Sequence, residues 1–290
     1  MPEPAVVRVI AEFKRELLAR ETVQMRMMAG RWLQIEKRLK KDMDALAAKG
    51  AKGPLTEAAI KSDARYTSLI AQARAEVIKY ERYANGVIQG EQLKLAGLGI
   101  EHGVEAIRAA GVRTAFDRLP IEAVERMIGL AGDGSPLFDV LARRAITPDA
   151  IQGLSDALIT GIGAGYNPTK IARMMQDGLS GGLQKALTIA RTEQLRVYRS
   201  ANVAQFRESG VVASFKRMAA KDGRTCLACL AADGETIPLG EEMYDHISGR
   251  CTAVCNVLGA PPTQFETGDE WFAKLDASKQ EDIMGRYYEP

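Results

Sequence analysis

The sequence predicts a mainly α protein with a C-terminal α+β domain, and three observations carry that reading. Apolar residues recur at steps of three and four through roughly the first hundred residues, and a series of short helices with explicit start signals follows. After Gly210 the helical spacing gives way to alternation and closely spaced turn signals. The expected organisation is a long antiparallel helical hairpin over residues 1–99 and a short-helix region over 100–182. A C-terminal α+β domain with a Cys/His knuckle takes residues 183–290.

In the first segment Val6, Ile10, Phe13 and Leu17 are followed by Met25, Met28, Trp32, Ile35, Leu39, Met43 and Leu46, a stripe interrupted only at Glu21. "KGAKGP" at Lys49–Pro54 breaks it with two glycines and a proline. The pattern resumes through Ile60, Tyr66, Ile70, Ala73, Val77, Tyr80, Ala84 and Val87, up to the glycines of "AGLGI" at Ala96–Ile100. Two long helices joined by a short Gly/Pro turn predict the hairpin, whose arms leave surface for a partner or another copy of the chain. The shorter helices start at Pro120, at Thr147–Pro148 and at Asn167–Pro168, the last two as N-cap followed by proline. The strongest helix carries Leu183, Leu187, Ala190, Leu195 and Tyr198 along one side and stops at Gly210. Beyond it "VVASFKRMAAKDGRT" alternates like a strand, and Thr267 or Asp269 caps a helix bearing Trp271, Phe272 and Leu275.

Composition narrows the function classes. The hydrophobic and charged fractions, 46% and 26%, are those of a soluble globular chain. No apolar run is long enough for a signal peptide or a membrane span, so a reducing cytoplasm is the expected site of synthesis. A net charge of +2 does not mark a nucleic-acid binder, although residues 1–50 carry eleven Lys/Arg against seven Asp/Glu. "GIGAGYNP" and "GDGSP" lack the lysine and hydroxyl residue of a phosphate loop. His102 reads as a surface or capping residue. No catalytic triad or paired-carboxylate arrangement stands out, and no catalytic residue is assigned.

All four cysteines fall in one turn-rich window. Cys226 and Cys229 form a C-x-x-C, and Cys251 and Cys255 a C-x-x-x-C after twenty-one intervening residues. That spacing suits one tetrahedral zinc ion, with His246 as an alternative fourth ligand. Buried free thiols, a redox pair and a catalytic zinc compete with it. Structural zinc is preferred because the second pair has no redox role and no carboxylate is fixed nearby as a base. Two further readings are an enzyme using Arg191, Glu193 and His246, and a zinc-dependent nucleic-acid module. Around the knuckle Lys216, Arg217, Lys221, Arg224 and Arg250 are offset by six carboxylates, which argues against the latter.

From about Ala190 to Gly285 the chain resembles the phage Mu F-like head morphogenesis proteins, minor head proteins of tailed bacteriophages. The resemblance rests on four pieces in order: "ARTEQLRVYRSANVAQFRESGV", "KDGRTCLACLAADGETIPL", "HISGRCTAV" and "TGDEWFAKLDASKQEDIMG". Many members read H-x-x-C-R-C. Here Gly249 takes the first cysteine's place, and Cys255 stands where proline is often found. Cys226, Cys229 and Cys251 are then three ligands, with Cys255 or His246 completing the set. The resemblance implies a non-enzymatic virion component present in few copies, made in the bacterial host cytoplasm and placed inside or at the portal vertex of the head. It also implies partnership with the portal protein and with capsid or scaffold components, and in some relatives exit with the ejected DNA. The basic N-terminal half suits contact with packaged DNA.

Overall fold

The computed structural model describes residues 3–50 and 53–285. Its elements are α1 (Ala5–Gly50), α2 (Glu57–Lys61), α3 (Ala64–Ala109), α4 (Glu122–Glu125), α5 (Leu137–Asp139), a π-helical turn (Val140–Ala145), α6 (Ile146–Gly163), α7 (Pro168–Leu179) and α8 (Gly181–Glu208). These are followed by β1 (Val212–Met218), α9 (Leu227–Ala231), β2 (Thr236–Pro238), β3 (Thr252–Val257), α10 (Gly268–Phe272) and α11 (Ala277–Met284). The chain is mainly helical with a C-terminal α+β part, as the sequence predicts, and the described residues hold one antiparallel three-stranded sheet. Ala51 and Lys52, inside the expected Lys49–Pro54 break, lie outside the described residues.

The described residues group into two compact units made of interleaved segments. One comprises residues 21–90 and 129–191, the other residues 1–20, 91–128 and 192–290. In the first, the apolar stripe of α1 meets that of α3 around Trp32 and Tyr80, both fully buried, whose rings lie 4.8 Å apart edge to face. The Tyr80 hydroxyl donates to the Met28 carbonyl at 3.3 Å, Arg38 pairs with Glu76, and Lys49 pairs with Asp63. These partners fall in opposite sequence order, as two antiparallel helices require. Helix α7 starts as expected, with the Asn167 side chain accepting from the Lys170 N–H at 2.9 Å and Pro168 in the first turn.

The same reading fails at Thr147. Helix α6 begins at Ile146, directly out of the π-helical turn, and the Thr147 hydroxyl donates instead to the buried Glu81. Burial raises the Glu81 carboxyl above its ordinary range. Helices α6 and α7 touch at Gly153 and Gly178, where a Cβ on either would overlap the backbone carbonyl of the other.

In the second unit the sheet order is β2-β1-β3, with Phe215 opposite Ile237 on one side and Cys255 on the other. All six residues of β3 are buried, so both its faces are covered. Phe206, Phe215, Val254, Cys255 and Ile107 form the centre of this core. The glycines of "AGLGI" do not end α3, which continues to Ala109. Gly99 has a different reason to be glycine: a Cβ there would come within 2.5 Å of the Tyr198 carbonyl oxygen and 2.9 Å of the Ala201 Cβ. Helices α3 and α8 are thus in backbone contact, and the Asn202 side chain donates to the Gly99 carbonyl at 3.0 Å. Gly210, at φ 63°, terminates the chain path of α8 as expected.

His102 is a correction to the sequence reading. It is buried, stacked on Phe13 at 3.6 Å, with Nδ1 3.0 Å from the Tyr198 hydroxyl and Nε2 3.5 Å from Glu16. Burial lowers its pKa below the ordinary histidine value, and Glu16 opposes the shift without cancelling it. As pH falls through about 6.5, the unfolded chain binds this proton before the folded one, so this group contributes a loss of stability with falling pH. Imidazole ¹⁵N shifts are expected to show His102 still neutral where an unfolded histidine is half protonated. A midpoint at or above about 6.5 would contradict the buried placement.

Candidate metal centre

Three segments of the second unit converge on one cluster. The first is the turn into α9. Asp222 Oδ1 accepts from the Arg224 N–H at 2.9 Å, and Thr225 Oγ1 accepts from the Asp222 N–H at 3.0 Å, closing a tight loop ahead of Cys226. Cys226 is the N-cap of α9, its sulfur accepting the Cys229 N–H at 3.4 Å. One helical turn therefore aims both sulfurs of the C-x-x-C the same way.

The second segment is the loop from Tyr244 to Arg250. His246 Nδ1 lies 2.8 Å from the Ile247 carbonyl oxygen, which can only accept, so Nδ1 carries the proton. In the neutral ring the lone pair is then on Nε2, which lies 3.1 Å from the sulfur of Cys226 and 3.1 Å from that of Cys229. This is the arrangement by which a metal-ligating histidine is held in one tautomer by a carbonyl behind it. The loop is anchored by the Ser248 N–H donating to Thr192 Oγ1 at 3.0 Å and by Arg199 donating to the Gly249 carbonyl at 3.2 Å.

The third segment is the entry to β3. Cys251 is buried and groups with Cys229 and Asp245, their ligand atoms all within 4.8 Å of one another. Arg250, beside Cys251, reaches back to Asp222 with two hydrogen bonds of 2.6 and 2.7 Å, joining the first segment to the third. That fork holds the Asp222 carboxyl down at about 2.

Electrostatics favour thiolate at Cys251 and Cys226 and oppose it at Cys229. The Cys251 thiol is brought down to about 7, chiefly by the Cys229 side chain and further by Arg217, while Cys229 is pushed up by Cys251. Burial opposes the Cys226 thiolate, but the Cys229 N–H and side chain together with His246 outweigh it and lower this pKa too. Two buried arginines, Arg199 at 3.0 Å and Arg217 at 3.9 Å, flank the Asp245 carboxylate under the loop. Gly249 fits this arrangement closely, since a Cβ there would overlap the Asp245 carboxylate. The residue in the place of a relative's cysteine is thus glycine where the space is already taken.

Cys226, Cys229, His246 and Cys251 therefore form a cluster that could hold a metal ion. Three sulfurs and an imidazole nitrogen are a donor set suited to tetrahedral zinc. Cys255 is placed elsewhere. It is fully buried in β3 opposite Phe215, and burial pushes its thiol up to about 12. On an extended strand, four residues span about 13 Å, too far for one ion to bind both ends of a C-x-x-x-C. The same spacing on a helix would have brought the two together.

The residues of the enzymatic reading take separate partners. Arg191 pairs with Glu21 at 2.6 Å, Glu193 with Arg196 at 2.8 Å, and His246 faces the sulfurs. The cations around the knuckle are mostly engaged within the fold: Arg217 with Asp245, Lys221 with Asp233 at 2.8 Å, and Arg250 with Asp222. Sequence reasoning counted Asp245 and Arg217 only as nearby charges and did not single out Arg199. Nothing in their spacing signals that they meet beneath the His246 loop.

Residues 152–263 match the family described as Phage Mu protein F like protein. The matched segment, less than half of the chain, contains the three strands, all four cysteines and His246. No curated protein and no solved structure matches the chain.

Proposed function

We infer that this chain, whose residues 152–263 match the family described as Phage Mu protein F like protein, is a minor head protein of a tailed phage or prophage that acts at the portal vertex during head assembly. The family match carries the assignment to head morphogenesis. The helices support the portal part of the reading, since α1 and α3 are each 46 residues long and offer extended surface for docking. No helix among the described residues is long and apolar enough to cross a membrane. The N-terminal helical arm, the short helices and the C-terminal α+β domain act as docking, connecting and family-defining parts respectively. Contact with packaged DNA and departure with it belong to the same reading.

In this proposal Cys226, Cys229, His246 and Cys251 hold one structural zinc ion, which when bound clasps the turn into α9, the His246 loop and the start of β3. The support is the fit of the donor set and of the groups behind it, above all the Ile247 carbonyl on Nδ1. The test of the portal assignment is co-expression with the portal protein of the same locus. The two are expected to co-elute in size-exclusion chromatography. Separate elution of this chain from intact portal rings would remove the portal from the proposal.

A further inference from the structure

The unit formed by residues 21–90 and 129–191 carries a groove of about 540 Å³ between α1 and α7. Its lining includes Leu33, Met43 and Ala172, with Lys37, Lys40 and Arg173 exposed along it, and two carboxylates, Asp44 and the buried Glu36, which accepts from Gln176 and Ser180. Leu33 is 51% exposed. Lys40 pairs with Asp44, but among the described residues no carboxylate pairs with Lys37 or Arg173. The α1 wall runs from Leu33 to Asp44, about three helical turns or ~16 Å. An apolar trough of this length with unpaired cations suits an amphipathic segment that brings carboxylates.

The chain supplies such a segment at its other end. Residues 266–284 contain six carboxylates against two lysines, and both lysines are already paired, Lys274 with Glu266 and Lys279 with Asp276. Glu281 and Asp282 have no cationic partner among the described residues. Helix α11 has no buried residue, and Trp271, Phe272, Leu275, Ile283 and Met284 all stay partly exposed. A helix that buries nothing gains little from its own unit and is a candidate for docking elsewhere.

We propose that the groove between α1 and α7 receives the acidic α10–α11 segment of a second copy of this chain. The contact is heterologous: the groove of one copy engages the tail segment of the next, so repeated contacts build a ring if the rotation closes and a filament if it does not. Charge complementarity sets the polarity of the assembly, and Leu33 with the tail's apolar side chains supplies the buried area. The interaction weakens with salt, because the cations on the groove are exposed.

Sedimentation velocity and light scattering on the full chain test this directly. The wild-type chain is expected to associate in a concentration-dependent way at low salt, and a peptide spanning residues 264–285 is expected to compete. Reversal of the groove, K37E with R173E, and reversal of the tail, E281K with D282K, should each shift the midpoint for association at least tenfold upward. The two reversals combined in one chain should restore it. A wild-type chain that stays monomeric to high concentration overturns the proposal, as does association unaffected by either reversal. Failure of the combined variant to recover, while each single reversal remains folded by circular dichroism, overturns it as well.

Discussion

Serine at Cys251, or alanine at His246, is expected to strip zinc from the purified chain and to lower the melting temperature of the β-sheet unit steeply, whereas Cys255→Ala keeps one zinc per chain. The contrast follows from placement. Cys251 directly precedes β3 beside Cys229, and His246 Nε2 faces the Cys226 and Cys229 sulfurs, while Cys255 lies in the sheet core opposite Phe215. Structural zinc in small finger peptides contributes an apparent ~10–16 kcal/mol, nearly all of their folding energy. Here the sheet also has a core built on Phe206, Phe215 and Val254, so a loss of several kcal/mol is expected rather than complete unfolding. Cys255→Ala removes one sulfur from a packed site and should cost about 1 kcal/mol, the centre of the range for point substitutions. Elemental analysis, thiol titration and thermal melts decide the matter. Zinc lost from Cys255→Ala but kept by Cys251→Ser would reverse the ligand assignment. A wild-type chain that is folded, metal-free and has freely titrating thiols at the cluster would end it.

The second large effect is expected at the crossing of α6 and α7. Gly153→Ala and Gly178→Ala each place a Cβ against the other helix's backbone carbonyl, and no rotamer change can relieve a clash between backbones. Overpacking typically costs ~1–3 kcal/mol, and a backbone contact should lie at or above the top of that range. Gly30 and Gly90, inside α1 and α3, provide the control because a Cβ at either meets nothing within 4 Å. Alanine at those positions should stabilise by ~0.5–1 kcal/mol, since glycine is the poorer helix former. Denaturant titrations of the four variants test the pair of signs. Equal, small effects at all four would mean that the helices do not meet at Gly153 and Gly178.

These glycines show what was legible in the sequence and what was not. The long apolar stripes of α1 and α3 are local patterns, and they announced both helices. The end of α3 was misread at "AGLGI" because glycine is also the ordinary stop signal. The reason for Gly99 lies about a hundred residues away, at Tyr198 and Ala201. Asn167–Pro168 and Thr147–Pro148 look alike, yet only the first starts a helix. The second follows a π-helical turn, and its hydroxyl is taken by Glu81. In the cluster, C-x-x-C was readable because two residues between sulfurs fit one turn. C-x-x-x-C was ambiguous, since its meaning depends on whether the chain there is helix or strand. The arginines beneath Asp245 left no trace in any spacing, because they come from α8 and β1 and meet the loop only in the folded chain.

The interleaving of the two compact units fixes an order of events at the ribosome. Every segment of the unit containing Trp32 and Tyr80 has been synthesised once Arg191 is made. The other unit, which begins with the first twenty residues, cannot close until β3 has emerged, more than sixty residues later. At ~5–20 residues per second the start of α1, made about 250 residues before β3 is complete, waits roughly 12–50 s without its sheet. During that interval Val6, Val7 and Ile10 lack most of their core, because most other members of that cluster come from residues 203–257. Val6, Val7 and Ile10 thus stay largely uncovered until β3 arrives, and a chaperone that shields such a stretch would act from the time it emerges until the sheet is complete.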